Sequence, residues 1–309
     1  MLPVVFRWRL HMKMLSSLLL SAILLLPGLA LAGPDDAPDR TEASAFVASL
    51  RFKEGEISIP EADAKLRLGN AFRYLEKADA RRVLESLWGN PPDDTVLGLV
   101  VPRDTPLTDD RSWAVVVTYS DDGYISDEDA AKIDYDEMLA DMKAADPGIN
   151  EERKKQGYEA LNLVGWAEQP RYDATSKKLY WAKELHAEGV DANTLNYDIR
   201  VLGRRGYLSF NAISAMRELG AVRAGMQSLL PLVEFDQGAR YADYDASTDK
   251  LADYGIAALV GGGLAAKAGL FGKLGILLLK AWKLVAVAFV GLIALIGKLF
   301  GRKKKGVVN

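Results

Sequence analysis

Residues 194–212 have the sequence TLNYDIRVLGRRGYLSFNA, in which two runs rich in β-branched and aromatic residues flank a GRRG tetrapeptide. Such runs predict β-strands, here at 194–202 and 207–212. A short connection bounded by glycines is typical of a tight turn between antiparallel neighbours. The sequence therefore predicts a β-hairpin in the second half of the chain.

Strand and helix patterns extend outward from this hairpin. Further strands are predicted at 56–59, 65–68, 96–101, 113–119, 161–166, 178–186 and 232–235. Helices are predicted at 79–88, where the sequence GNPP follows, and at 218–230. Strands in sequence-adjacent hairpins, together with several helices, predict an α+β fold with a largely antiparallel sheet, followed by a C-terminal helical membrane segment.

The region between the two halves of the sheet is predicted to be helical. Ser126 is expected to cap a helix that carries acidic residues in its first turn, and helical patterning continues over 135–145. The Pro-Gly pair at 147–148 predicts a break, and a second helix is expected to begin near Asn150.

The charge distribution divides the chain into three parts. The chain has 39 basic and 42 acidic residues. Residues 1–32 contain three basic and no acidic residues, and residues 251–309 contain nine basic residues and one acidic residue. The middle keeps 27 against 41, a net charge of −14. An acidic domain between basic ends is typical of a chain that crosses a membrane. The acidic middle also argues against nucleic acid as a partner, because phosphate binding needs a basic surface.

The N-terminus has the pattern of a secretion signal peptide at residues 1–32. Basic residues precede an uncharged, Leu-rich run at 15–26, and the sequence ALA at 30–32 supplies small residues at the expected cleavage positions. An uncleaved signal anchor is the alternative. Residues 33–44 are polar and Pro-rich, and we interpret them as a flexible lead-in to a domain at 45–250.

Residues 251–302 are interpreted as membrane-associated helices. The segment 276–300 is long enough to cross a bilayer core of ~30 Å, and its central part at 284–297 has no charge. The basic tail at 303–309 is expected to stay in the cytoplasm. The domain at 45–250 would then lie outside the cytoplasm, facing the periplasm or extracytoplasmic space, at the bacterial inner membrane.

Small residues recur every four positions before this span, at Ala257, Gly261, Ala265 and Gly269. On a helix they form one smooth stripe, the kind of surface through which membrane helices pack closely. Two arrangements remain open, a two-helix hairpin and a single span preceded by an interfacial helix. The single span agrees better with a cytoplasmic basic tail, because a hairpin would return the tail to the outside.

Several sequence motifs resemble one protein family. They are GNAFRYL (69–75), WGNPPDD (88–94), LYWAKELHAEG (179–189), LNYDIRVLGRRGYLSFNA (195–212) and FDQGARYADYDASTDKLADYG (235–255). Together they resemble DUF2167, a family of bacterial membrane-anchored proteins of uncharacterised function, over about residues 50–300. The resemblance implies a signal, an extracytoplasmic domain and a C-terminal membrane segment. It implies no catalytic residues.

Few residues suggest catalysis or metal binding. The chain has no cysteine, and His186 is the one histidine left once the signal is removed, so neither a catalytic triad nor a zinc or copper site is expected. The acidic sequence at 118–129 has Gly and Ile where a calcium loop has them, but Thr118 and Ser120 occupy two ligand positions. We prefer a turn followed by a capped helix, and we expect no metal or cofactor.

Two further groups are candidates for binding. Asp243, Asp245 and Asp249 are interpreted as caps and solvating charges, with a divalent-cation site as the alternative. Arg204 and Arg205 in the hairpin turn are the candidate contacts for an anion, either a phosphate or a carboxylate.

These observations favour a membrane-anchored envelope protein that acts as a non-enzymatic binding or accessory module. Its expected partners are the lipid bilayer and an envelope protein. Two alternatives stay open. One is a carboxylate-dependent hydrolase acting on an envelope polymer, for which two convergent buried carboxylates in a cleft would be diagnostic. The other is a helper subunit of a membrane complex.

Overall fold

The computed structural model describes residues 40–109 and 111–261. The predicted signal at 1–32, the predicted span at 276–300 and the basic tail at 303–309 lie outside these residues. Within the described ranges, no helix combines the length and hydrophobicity needed to cross a membrane.

Among the described residues, ten strands form two antiparallel sheets, which confirms the predicted α+β class. The strands are β1 Glu56–Ile59, β2 Ala64–Arg67, β3 Phe72–Glu76, β4 Val96–Pro102, β5 Ala114–Ser120, β6 Leu161–Asp173, β7 Lys178–Ala187, β8 Thr194–Leu202, β9 Tyr207–Ala215 and β10 Val233–Phe235. The large sheet has the order β3-β4-β5-β9-β8-β7-β6, and the small sheet has the order β1-β2-β10. Neighbouring strands in both sheets run antiparallel.

Helices cover both faces of the large sheet. Their bounds are α1 Arg40–Ala48, α2 Lys77–Arg81, α3 Tyr135–Lys155, α4 Leu219–Leu229 and α5 Ile256–Gly261. A π-helical segment, Arg82–Leu87, continues α2, so the helix predicted at 79–88 is confirmed with a change in its hydrogen-bond spacing. The helix predicted at 218–230 is confirmed as α4.

The predicted hairpin of β8 and β9 lies at the centre of the large sheet. Leu202 pairs with Tyr207, and the Gly203 N–H donates to the Gly206 carbonyl over 2.8 Å. A Cβ on Gly206 would lie 1.8 Å from the Ser120 carbonyl oxygen at the end of β5, so the backbone could not stay in place with any other residue there. The turn thus determines both the hairpin and its fit against β5.

The two faces of the large sheet differ in what covers them. One face, which we call the apolar face, packs against the small sheet and α4 through side chains such as Ile199, Phe210 and Met226. The opposite face, which we call the mixed face, packs against α2 in one region and against α3 and α5 in another. On this mixed face, β7, β8 and β9 also carry buried polar side chains.

Helix α3 continues through Pro147, so the predicted break at this residue and the second helix near Asn150 are wrong. A proline inside a helix costs about 3 kcal/mol, because it removes a hydrogen bond and crowds the preceding turn. Side chains on either side of it offset this cost. The Asp146 carboxylate accepts the Leu163 N–H at 2.6 Å. The Asn150 amide oxygen accepts the Leu161 N–H at 2.8 Å, so α3 is held along the edge strand β6.

The α-helix predicted directly after Ser126 is not found in the described chain. Residues 130–132 form a single 3₁₀ turn. The α-helix begins at Tyr135, where the Asp134 carboxylate accepts two N–H groups of the first turn at 3.0 Å. The carboxylates that follow Ser126 instead contact the C-terminal segment of the domain.

Candidate functional site

Polar and charged side chains are buried on the mixed face, where β7, β8 and β9 pair. On β8 they occupy every second position, and the apolar residues between them belong to the apolar face. We call this group the polar strip, and its members are Lys183, Asn196, Asp198, Arg200, Ser209 and Asn211. The register places Asp198 opposite Asn211 and Arg200 opposite Ser209. Strand pairing therefore brings side chains from three strands together.

Asp198 lies at the centre of the polar strip and is only 1% exposed. Its Oδ1 accepts a hydrogen bond from Asn211 Nδ2 at 2.9 Å and lies 3.1 Å from Arg200 Nη1. The same Asn211 amide donates to Asn196 Oδ1 at 2.9 Å. Arg200 Nη1 also donates to Ser209 Oγ at 2.5 Å. One carboxylate oxygen thus organises the polar side chains of β8 and β9.

Lys183 has weaker contacts than the other members of the strip. It is 8% exposed, and its Nζ lies 3.9 Å from Asp198 Oδ2, beyond hydrogen-bond distance. Burial lowers the pKa of the Lys183 ammonium, and attraction to Asp198 opposes that shift. Three nearby atoms of the described chain are buried without a hydrogen-bond partner, namely Asp198 Oδ2, Arg200 Nε and Trp181 Nε1. The strip therefore keeps unused hydrogen-bonding capacity.

A second cluster joins the loop at 120–129 to the C-terminal segment of the domain. Asp127 Oδ2 accepts hydrogen bonds from Tyr172 Oη and Lys177 Nζ, each at 2.7 Å. Its Oδ1 accepts one from Tyr241 Oη at 3.2 Å. Partial burial raises the pKa of Asp127, but the hydrogen bonds from Lys177 and Tyr172 outweigh it and hold the pKa below its usual value. Asp127 therefore serves as an ionised link between three segments.

Asp129 attaches α5 to the domain. Its carboxylate oxygens accept the Ile256 N–H at 3.0 Å and the Ala257 N–H at 3.2 Å, so a residue distant in sequence caps the helix. A Cβ on Gly255 would lie 2.5 Å from this carboxylate, which explains glycine immediately before α5. The apolar side chains of α5 are buried against the mixed face. The start of the predicted membrane-associated region is thus packed into the domain.

The region that contains these features matches a family model. The model for DUF2167, a protein of unknown function, matches residues 51–291. This chain belongs to the DUF2167 family. The match contains both sheets and both clusters, and it confirms the resemblance seen in the sequence motifs. No curated protein sequence matches the chain significantly.

Three solved structures are weakly similar to part of this DUF2167 chain. The cyanobacterial PsbP protein (CyanoP) of Synechocystis is 11% identical with a TM-score of 0.33, covering 60% of this chain and 92% of its own. The Ran-binding protein Mog1p of Saccharomyces cerevisiae is 10% identical with a TM-score of 0.31, covering 60% and 96%. LpqN of Mycobacterium tuberculosis, involved in cell envelope biogenesis, is 11% identical with a TM-score of 0.29, covering 62% and 94%. At these values, none of the three assigns a function.

Both arginines of the hairpin turn have carboxylate partners inside the DUF2167 domain. Arg204 forms a two-point ion pair with Asp249, with Nε–Oδ2 and Nη2–Oδ1 distances of 2.7 and 2.9 Å. Arg205 donates a hydrogen bond to Asp63. These pairs connect the turn to neighbouring segments. An anion contact at Arg204 and Arg205 stays a prediction, and a ligand there would compete with both carboxylates.

The remaining acidic candidates and the histidine lie apart from the polar strip and have local partners. His186 Nδ1 lies 2.8 Å from the Asn193 side-chain oxygen. Asp243 accepts two backbone N–H groups, and Asp245 accepts from the Ser247 hydroxyl and N–H, which confirms the capping interpretation for these two residues. Asp249 instead pairs with Arg204. Within the ranges that the structure describes, no three carboxylate or histidine side chains converge as metal ligands would.

The small-residue stripe is only partly visible in the described chain. Ala257 and Gly261 lie in α5, where both are half-buried. Ala265 and Gly269 lie outside the described residues. That the four residues share one helix-packing surface stays a prediction.

The polar strip does not follow from the sequence pattern alone. In β8 the sequence LNYDIRV (195–201) alternates apolar and polar residues, which is typical of a strand with one face in solvent. Its polar face is nevertheless buried, because elements distant in sequence cover it. One sequence feature indicates that this polar face is buried. It is Lys183, which lies within the largely apolar neighbouring strand β7.

Proposed function

We propose that this protein is a membrane-tethered accessory module of the bacterial envelope, whose domain binds a protein or another envelope component without catalysing a reaction. The domain would face the periplasm or extracytoplasmic space, held at the inner membrane by the segment at 276–300. The Leu-rich N-terminus and the basic tail at 303–309 support this orientation.

The proposal rests on how α5, which leads into the predicted anchor, is attached to the domain. Asp129 caps α5, and Ile256 at the start of α5 is completely buried against the mixed face. The apolar sequence that contains the predicted span includes α5 and continues beyond it. A helix docked in this way supports a module that is built to sit close to the bilayer, rather than one that hangs from a long linker.

Accessory binding is favoured over a carboxylate-dependent hydrolase by the contacts of the buried acids. Among the described residues, the buried carboxylates are Asp79 and Asp198. Asp79 accepts hydrogen bonds from Arg51 and Arg82, whereas Asp198 contacts Asn211 and Arg200. They share no partner, and an acid–base pair acting on one glycosidic or peptide bond would need both groups to face the same substrate.

Membrane attachment is tested by fractionating cells that express the full chain with a tag at the C-terminus. We expect the protein to stay with the membrane after alkaline carbonate washing, and the domain to be cleaved by protease in spheroplasts while the tag is protected. Recovery of the protein in the cytosolic fraction would contradict the tether.

The binding role is tested by affinity capture of the tagged full chain from crosslinked membranes. We expect a reproducible envelope component that is lost when the crosslinker is omitted and in an untagged control strain. A repeated blank, together with release of a product from purified envelope polymer, would contradict the accessory role and favour the hydrolase.

A further inference from the structure

The polar strip is costly for the stability of the domain. Lys183 and Arg200 are 8% exposed and Asp198 is 1% exposed, in the middle of a sheet whose opposite face is filled with apolar side chains. Removing a charged group from water costs several kcal/mol even after relaxation, and apolar replacements of buried ion pairs are often neutral or stabilising. Folding alone therefore does not require three charged side chains at this place.

Hydrogen-bond donors outnumber acceptors within the strip. Arg200 Nε and Trp181 Nε1 are buried in the described chain with no acceptor. The Lys183 ammonium has three N–H groups, and its nearest carboxylate oxygen, on Asp198, is 3.9 Å away. Among the described residues, Arg200 Nε and Trp181 Nε1 are thus two buried donors without an acceptor, and leaving a buried donor unpaired is costly.

The surroundings of Lys183 do not supply the missing acceptors. Asp146 on α3 acts on Lys183 electrostatically, but the carboxylate within 4 Å of Lys183 Nζ is that of Asp198, and Asp146 Oδ2 accepts the Leu163 N–H at 2.6 Å. The Arg200 guanidinium lies 5.0 Å from the Trp181 ring centroid and 5.6 Å from that of Tyr207. Its Nη1 donates to the Ser209 hydroxyl and the Ile199 carbonyl, which leaves Nε without an acceptor in the described chain. A group that brings acceptor oxygens and no donors would complement this set.

We propose that the polar strip is a binding site for a small oxyanion, a carboxylate or a phosphate group, held by Lys183 and Arg200 with Trp181 Nε1 as a further donor. Asp198 orients Arg200 through the 3.1 Å contact and weakens the binding of an anion by its own charge. This site lies within the domain and does not rest on the proposed membrane attachment, so either proposal can fail without the other.

The test measures binding of sodium acetate and of inorganic phosphate to the full-length protein in a mild detergent, by isothermal titration calorimetry at constant ionic strength set with chloride. We expect saturable binding of at least one of the two probes, which also distinguishes a carboxylate from a phosphate ligand. Lys183→Met should weaken that binding by about tenfold or more. Lys178→Met is the matched control, because Lys178 lies on the same strand and donates to the Leu230 carbonyl on the apolar face.

Asp198→Asn should change oxyanion affinity in the direction opposite to Lys183→Met. A purely structural role of Asp198 would not produce this result. The amide keeps an oxygen for Asn211 and removes the negative charge, so the oxyanion should bind more tightly than to the wild type. Near-ultraviolet circular dichroism reports folding of each variant, and Asp198→Asn decides the question where Lys183→Met does not fold. Absence of saturable binding by the wild type, equal binding by Lys183→Met, or weaker binding by Asp198→Asn would overturn the proposal.

Discussion

Strand β8 shows two different solutions to burial on its two faces. On the apolar face, Leu195, Ile199 and Val201 pack with the small sheet and α4. On the mixed face, Asn196 and Asp198 are buried just as completely but are surrounded by polar side chains of β7 and β9. Both faces of β8 are thus shielded from water, but one face contributes to an apolar core and the other to a charged cluster.

The apolar side chains of one face stabilise the domain, whereas the buried charges of the other face are retained at a cost in stability. Apolar burial contributes roughly 25 cal/mol for each Å² removed from water. Buried charges gain stability only where geometry and hydrogen bonds are good, and Asp198 meets this condition at Oδ1 but not at Oδ2. The apolar face should therefore respond to mutation by loss of stability, and the mixed face by changes of either sign.

The largest effect is expected on the apolar face. Phe210 is fully buried opposite Ile199, and Phe210→Ala should lower the free energy of unfolding by about 4 kcal/mol, because it leaves a cavity that the two packed sheets cannot close. Urea denaturation of the full chain measures this loss. Val164→Ala, at a position 41% exposed, is the control and should change stability by less than about 0.5 kcal/mol.

The two cations of the polar strip should respond in opposite directions. Arg200→Met removes the cation 3.1 Å from Asp198 and should destabilise the protein by about 3 kcal/mol. Lys183→Met removes a desolvated charge 3.9 Å from Asp198, which still has Arg200, and should stabilise the protein by about 1 kcal/mol. Urea denaturation at neutral pH measures both changes in the free energy of unfolding. Destabilisation of equal size in both variants would mean that the strip is a structural ion-pair network.

A smaller effect is expected where α5 joins the mixed face. Asp129→Ala removes the acceptor of the Ile256 and Ala257 N–H groups and should cost about 1 kcal/mol, the usual value of a helix cap. Hydrogen exchange at these two amides should become faster. Glu128→Ala, at the exposed neighbouring position, removes the same charge without the cap and should leave exchange unchanged. Faster exchange in both variants would show that net charge, not capping, holds α5.

The smallest effect is expected at the Arg204–Asp249 pair of the hairpin turn. The hydrogen bond from Arg204 lowers the pKa of Asp249 from 3.8 to about 2. A lowered carboxyl pKa stabilises the folded state above the unfolded pKa, and this contribution is lost as the pH falls from 3.8 to about 2. The difference in Tm between the wild type and Asp249→Asn should therefore be constant near neutral pH, decrease below pH 3.8 and vanish only below about pH 2.

A double substitution checks the assignment of that pH dependence to the ion pair. Once Arg204→Gln is present, Asp249→Asn should have little further effect, because the interaction has already been removed. Full additivity of the two substitutions would show that Asp249 is stabilised by other contacts, such as the Asp245 N–H at 2.8 Å.

Local patterns predicted the strands well and failed where distant contacts replaced a local rule. The hairpin at 203–206 was predictable because turn geometry and strand alternation are local properties. The break at Pro147 was not, because the energy that carries α3 past it comes from Asp146 and Asn150 binding β6. The helix expected after Ser126 fails for a similar reason, since the carboxylates there bind partners far along the chain.

The sequence by itself determined the antiparallel sheet, the central hairpin, the division into an acidic domain with basic ends, and the family. These depend on a two-residue period, on glycines in a turn and on composition, all of which act over a few residues. Only the tertiary structure decided that Lys183, Asp198 and Arg200 are buried together and that Asp129 caps α5. Burial and remote capping depend on which elements pack over a given face, and that choice is made by the whole chain at once.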